Sequence, residues 1–215
     1  MAHAEAKAKA ELAVTEPVEF VPPEPNPENW AKVKKYLVEA RALPVQLVDA
    51  KHKSGDIYAD ERANAVFLAR DEDGKPVAAE LRGTNPARPF KGYALGSRRG
   101  AGAFSVGNPA AGIVVVVESA IDAMSYLVLK LLSGIKDVMN NTRVVSTGGV
   151  RDKPPTGTDN KRLLCAYDDD TAGNKAGTWG ERLRPYRHAM RPASASPPWK
   201  NDNAVCRPKM TWCPS

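Results

Sequence analysis

Ile113-Val114-Val115-Val116-Val117-Glu118-Ser119-Ala120-Ile121-Asp122 decides the reading of this 215-residue chain. An unbroken β-branched run of this kind predicts a strand buried on both faces, as in a parallel sheet covered by helices. After Ser119 the apolar residues Ile121, Met124, Leu127, Val128 and Leu131 fall at helical spacing, and Gly134 closes the helix. Two more short strands follow. Arg143-Val144-Val145-Ser146 runs into Thr147-Gly148-Gly149, and Arg162-Leu163-Leu164-Cys165-Ala166-Tyr167 runs into Asp168-Asp169-Asp170. A last helix is predicted through Ala172, Ala176, Trp179 and Leu183. Strand, helix, strand, strand, helix at this spacing predicts an α/β fold with a mainly parallel sheet and flanking helices.

Ligands of such sheets bind beyond the carboxyl ends of the strands, and all three strands here end in a chemically loaded turn. A carboxylate directly after five apolar residues, as at Glu118, is costly unless solvated, paired or metal-bound. Side chains two apart in an extended segment point the same way, so Asp168 and Asp170 converge while Asp169 faces elsewhere. Clustered carboxylates repel, and a divalent cation removes that repulsion; magnesium suits them because it takes hard oxygen ligands and keeps positions open for phosphate and water. An Asp-Asp-Asp turn ahead of a helix equally serves as an N-terminal cap, and Glu118 alone equally serves as a helix-start acid.

Outward from this core the chain changes character. Residues 1–29 hold six glutamates against two lysines and a proline cluster at Pro22, Pro23, Pro25 and Pro27, and read as a disordered tail and linker. Residues 30–107 read as a small α+β domain. Its parts are a helix carrying Val33, Tyr36, Leu37 and Ala40, a second through Val45, Leu47 and Val48 that pairs with it as a small bundle, and a hairpin. The hairpin strands are Ala65–Ala69 and Val77–Leu81 around Asp71-Glu72-Asp73-Gly74. Residues 108–190 read as the α/β domain and 191–215 as an irregular tail.

Between Arg82 and Gly102 the chain has Arg82, Arg88, Lys91, Arg98 and Arg99, repeated glycines and no acid. Such a stretch supplies backbone affinity for a polynucleotide through counterion release, with Phe90 and Tyr93 available for stacking on bases. The same stretch reads equally as a solvated loop. A second basic group, Arg182, Arg184, Arg187 and Arg191, extends this surface or simply ends a helix.

Val117-Glu118-Ser119-Ala120-Ile121-Asp122, Ser146-Thr147-Gly148-Gly149 and Tyr167-Asp168-Asp169-Asp170-Thr171-Ala172-Gly173 resemble, in order and spacing, the three motifs of Toprim domains as found in bacterial primases. The resemblance covers roughly residues 112–185. Residues 30–107 resemble the domain of unknown function that precedes a Toprim module in proteins of plasmids and other mobile elements. The resemblance implies a Rossmann-like sheet, with Glu118 as metal ligand or general acid/base and Asp168 and Asp170 as the magnesium-binding pair. Asp122 matches a further acid of the metal site, and Gly148 and Gly149 match the turn that lets backbone approach it. It implies magnesium, with manganese as the substitute, and primase-like nucleotidyl transfer or nuclease chemistry on DNA, single-stranded by preference. A helicase or relaxase-type replication partner is implied as well. The alternative is an accessory DNA-binding protein of a mobile element that needs a partner for chemistry.

Composition excludes other classes. The longest apolar runs fall far below the ~18 residues of a membrane span, and the N-terminus has no apolar signal core, so a cytoplasmic protein without membrane partners is expected. Cys165, Cys206 and Cys213 lack CxxC spacing and stand far from His3, His52 and His188, so no zinc is expected. The net charge of +6 favours a polyanionic partner. The segment around Trp199-Lys200-Asn201-Asp202 only loosely echoes the strand region that follows a Toprim motif, so a tail truncated or altered relative to related proteins is expected.

Overall fold

A computed structural model describes residues 18–135, 137–151, 153–167 and 181–182, with Glu181 and Arg182 described by backbone alone. The predicted helix after Asp170, the basic group from Arg184 to Arg191, the side chain of Arg182 and the C-terminal tail lie outside the described residues. So do Cys206, Cys213, His3 and His188.

After a 3-10 turn (Pro27–Asn29) come helices α1 (Trp30–Lys35), prolonged by a π-helical turn (Tyr36–Ala40), and α2 (Val45–Lys53). Strands β1 (Ile57–Ala59), β2 (Asn64–Arg70), β3 (Pro76–Gly83) and β4 (Lys91–Tyr93) then form a four-stranded antiparallel sheet in that order. The hairpin stands where the two strand-like runs around Asp71-Glu72-Asp73-Gly74 predicted it. The helices do not form a bundle of their own. Val33, Leu37 and Val48 are fully buried in a cluster shared with Ile57 of β1 and Phe67 of β2, because two short helices bury more apolar surface against a sheet than against each other.

Five strands make the second sheet: β5 (Phe104–Gly107), β6 (Ile113–Val117), β7 (Thr142–Ser146), β8 (Arg162–Cys165) and β9 (Glu181–Arg182), in the order β5-β7-β6-β8-β9. Only the β5–β7 pairing is antiparallel. The connection from β6 to β7 runs through α3 (Ala120–Leu132) and a short helix, α4 (Val138–Asn141). Val114 to Val117 are all buried, as the β-branched run requires of a central strand. The fold class is therefore the predicted one, with an antiparallel edge strand drawn from the end of the segment that the sequence reading gave to the preceding domain.

The two sheets share one apolar layer. Phe67 of β2 meets Phe104 of β5 edge to face, ring centroids 5.6 Å apart. The same cluster runs on through Val106, Val115, Val117, Ile121, Met124 and Leu127. Backbone pairs also cross over: Arg70 and Ala103 exchange N–H···O bonds of 3.1 and 3.0 Å. The proline-rich segment is likewise held rather than loose from residue 18 onward. Phe20 packs on the apolar face formed by Tyr58, Val66, Leu68, Ala79 and Ala94, and the Tyr58 hydroxyl donates to the Pro23 carbonyl at 2.7 Å. A segment stiffened by proline loses little entropy on docking and needs few such anchors.

Because Phe104 lies between the sheets, Phe104→Ala should lower stability by about 3–5 kcal/mol. Thermal unfolding followed by circular dichroism should move as one transition, with both halves melting together.

Candidate functional site

The turn after β6 carries the first candidate, Glu118. Its geometry follows from the helix that begins next. Ser119 is the N-cap of α3: its hydroxyl accepts from the Asp122 N–H at 3.3 Å, and Asp122 Oδ2 accepts from the Ser119 N–H at 3.1 Å, a reciprocal capping box. The Ser119 hydroxyl also donates to Asp122 Oδ2 at 2.5 Å. Asp122, which the sequence offered as a further metal ligand, thus has one carboxylate oxygen engaged in holding the helix start.

The second candidate turn is stitched to the first. The Glu118 carbonyl accepts from the Gly149 N–H at 2.9 Å and from the Ser146 hydroxyl at 3.4 Å, while the Val117 carbonyl accepts from the Thr147 N–H at 3.0 Å. Gly148 and Gly149 have φ of +70° and +108°, the left-handed region where a side chain is strained. Gly148 is also crowded, since a Cβ there would lie 2.5 Å from the Tyr93 hydroxyl.

On the other side of β6 the ladder to β8 continues through the Ala166 N–H to the Val116 carbonyl at 2.8 Å. Tyr167 follows, its hydroxyl 3.2 Å from that of Thr147. Burial pushes the Tyr167 phenol up, and the charge of Glu118 adds to the shift. The third turn therefore departs beside Glu118, but Asp168 and Asp170 themselves lie outside the described residues. Among the described residues no group of three His, Cys, Asp or Glu side chains is assembled to hold a metal. Glu118 brings hard oxygen donors to the carboxyl end of a central strand, next to the departure of an Asp-x-Asp segment, and that donor chemistry fits magnesium.

The basic stretch is more ordered than a loop. Arg98 N–H donates to the Val77 carbonyl at 2.9 Å, and the Ser97 hydroxyl accepts from the Ala79 N–H at 3.2 Å, so the segment runs pinned along β3. Arg88, Lys91, Arg98 and Arg99 are exposed, as is Phe90. Arg82 differs. Its Nε donates to Glu80 Oε1 at 3.1 Å, and both side chains are largely buried, so this guanidinium is less open to solvent than the other four cations. Tyr93 is half-buried beneath the Arg99 guanidinium, 5.1 Å from the ring centroid. Burial pushes the Tyr93 phenol up.

A cleft of about 290 Å³ opens beside the glycine turn, lined by Arg99, Arg151, Lys153, Thr147 and the backbone of Gly100 and Gly102. Arg151 Nε donates to the Thr147 carbonyl at 3.4 Å, and its guanidinium lies against Gly100. The sequence reading missed Arg151 and Lys153, which stand in an unpatterned stretch, and it missed Glu80. The signal for Glu80 was present: an acid inside the apolar strand Val77-Ala78-Ala79-Glu80-Leu81.

Residues 115–184 match a family described as Toprim-like, and residues 35–110 match one described as a protein of unknown function, DUF3991. A "65 kDa protein" of Zymomonas mobilis is 34% identical over 164 residues, which are 72% of this chain and 26% of that protein. The chain thus spans about a quarter of that relative's length. Solved structures similar to it include the primase fragment of the bacteriophage T7 primase-helicase protein, 23% identical with a TM-score of 0.41 over 64% of this chain and 56% of the other. Another is a DnaG catalytic core, 18% identical with a TM-score of 0.38 over 81% and 57%.

Loss of the capping box should be measurable. Ser119→Ala should cost roughly 1 kcal/mol in chemical denaturation, and Asp122→Ala a similar amount by removing the other half of the box.

Proposed function

We propose, for a chain that carries a Toprim-like domain behind a DUF3991 domain, that it binds nucleic acid and performs magnesium-dependent phosphodiester chemistry at the turns after β6, β7 and β8. The observation that supports this reading is the stitching of Glu118 to the Gly148–Gly149 turn beside the strand that leads to Asp168.

Glu118, Asp168 and Asp170 would hold the ion, with manganese as its substitute and Asp122 at the margin of the site. Magnesium, when bound, offsets phosphate charge and lowers the pKa of water bound to it. The protein's part is positional. The Gly149 N–H fixes the Glu118 backbone, and the bare Cα of Gly149, with nothing within 4 Å of its Cβ position, leaves a phosphate room to approach. The exposed Arg88, Lys91, Arg98 and Arg99 carry the polynucleotide backbone, and Arg99, Arg151 and Lys153 draw phosphates toward the glycine turn. Phe90, half exposed on the same stretch, offers a face for a base. Single-stranded DNA suits such a surface of cations with an aromatic among them, and a primase-like nucleotidyl transfer is the reaction we favour. A replication partner of helicase or relaxase type, a place in a mobile element and a cytoplasmic setting belong to the same proposal. Among the described residues no helix is long and apolar enough to cross a membrane.

Incubation with single-stranded DNA, magnesium and labelled nucleotides tests the reading. Synthesis supports nucleotidyl transfer, cutting supports a nuclease, and binding without either leaves an accessory protein. Metal dependence is checked by calorimetric titration with magnesium, where Asp168→Ala plus Asp170→Ala should abolish binding; equal binding in that variant removes the metal site.

Salt titration checks the cation surface. Arg98→Ala plus Arg99→Ala should flatten the slope of log affinity against log salt by about 1.4 units on single strands, roughly 0.7 for each phosphate no longer neutralised. An unchanged slope returns the stretch to the status of ordinary surface.

A further inference from the structure

Glu80 is the one acid within β3, and only 4% of its surface is exposed. Burying a carboxylate is expensive unless charged or strongly polar donors meet both oxygens. Arg82 supplies one donor, from its own strand at 3.1 Å. The other comes from forty residues away, in the second sheet's half: Glu80 Oε2 accepts from the Ala120 N–H at 2.9 Å. Ala120 is the first residue of α3, whose outward-pointing N–H groups have no acceptor within the helix and concentrate the positive end of its dipole. The capping box serves Ser119 and Asp122 but leaves Ala120 unserved, and Glu80 fills that place.

Glu118 stands two residues before Ala120, so the contact fixes the end of the turn whose start is fixed by Gly149. Directly across the β3–β4 ladder from Glu80 is Tyr93, the residue whose hydroxyl covers Gly148. Two neighbouring side chains of the first sheet thus meet two different turns of the second: Glu80 is bonded to the one after β6, and Tyr93 lies against the one after β7. Burial pushes the Glu80 carboxyl up, while the Ala120 amide and Arg82 oppose the shift and the nearby Asp122 adds to it.

We propose that Glu80 is a positioning residue for Glu118 and, with Tyr93, makes the first sheet an integral part of the site rather than a neighbouring module. The inference rests on the reading of Glu118 as a site residue. A capping contact that served stability alone would spread its effect over the whole of α3 and the core. A positioning contact acts locally, on the turns.

Hydrogen–deuterium exchange on the full chain, paired with manganese affinity read by electron paramagnetic resonance, tests this. Glu80→Met keeps the length of the side chain but removes both acceptors. It should speed exchange in peptides covering 118–124 and 146–150 on the order of tenfold, as expected when one buried hydrogen bond is removed. Peptides from β2 and the end of α3 should exchange as in the wild type, and manganese should bind several-fold more weakly. Glu80→Gln, which keeps one acceptor oxygen for Ala120, should recover most of both effects. Wild-type exchange at 118–124 in Glu80→Met would overturn the proposal, as would uniform acceleration across the fold with no recovery by Gln. Should Glu80→Met fail to fold, Glu80→Asp serves in its place: it keeps a carboxylate for Arg82 but withdraws it from the Ala120 N–H, and should speed exchange at 118–124, with no change there counting against the proposal. A wild-type protein that binds no manganese overturns the metal reading, and the exchange results still decide the role of Glu80.

Discussion

The apolar layer between the two sheets is the constraint on which the other features depend. β6 is central in its sheet and must be covered on both faces, because neither face of a Val-Val-Val-Val run tolerates water. α3 and the first half of the chain share the work on one side, through Ile121, Met124 and Leu127 from the helix and Phe67, Phe104 and Val33 from elsewhere. Val145, Cys165 and Tyr167 gather on the other side with Val114 and Val116. Glu118 follows directly at the carboxyl end of this enclosed strand, ahead of the Ser119 cap of α3.

The same layer explains why a boundary near residue 107 is hard to draw physically. β5 belongs to the second sheet by hydrogen bonding, yet Phe104 packs against Phe67 of the first. The exchange of backbone bonds between Arg70 and Ala103 ties the sheets just before β5 begins. Interfaces between independent domains are usually more polar than this one and leave relative motion as the default. Here the contact is a continuous core.

What the sequence disclosed and what it concealed follow from the range of the signals. β6 and α3 were legible because burial forces long apolar patterns on them, and the shorter β7 and β8 because each apolar run leads into a marked turn, Thr147-Gly148-Gly149 or Asp168-Asp169-Asp170. The hairpin was legible because an Asp-Glu-Asp-Gly turn separates two short apolar runs. β1, β4 and β5 were not, being three or four residues each; Phe104-Ser105-Val106-Gly107 alternates buried and half-buried positions, too briefly to stand out beside the surrounding glycines. Of the candidate site, Glu118 and the glycine turn stood out in the sequence as the ends of strand-like runs, whereas the pairing of Arg82 with Glu80 was hidden. Sequence shows that an acid and a base stand two apart on a strand, but not that the acid also meets an amide forty residues on. Arg151 was hidden for a similar reason, since its place beside Gly100 exists only once the sheets are joined.

Val18 and Glu19 cross directly over Gly96: a Cβ at that glycine would lie 2.6 Å from the Glu19 carbonyl. Phe20, just beyond, is plugged into the outer face of the first sheet, and Asn26 N–H is bonded to the Ala59 carbonyl at 2.7 Å. These residues form a strap laid across the ribbon that displays Arg98 and Arg99. Cutting the chain back to the first helix would therefore be no neutral trimming: it would bare an apolar patch, strip the Tyr58 hydroxyl of its acceptor and loosen the backing of the cations. A segment with no cation of its own thus lies against the backbone of the ribbon on which Arg98 and Arg99 stand.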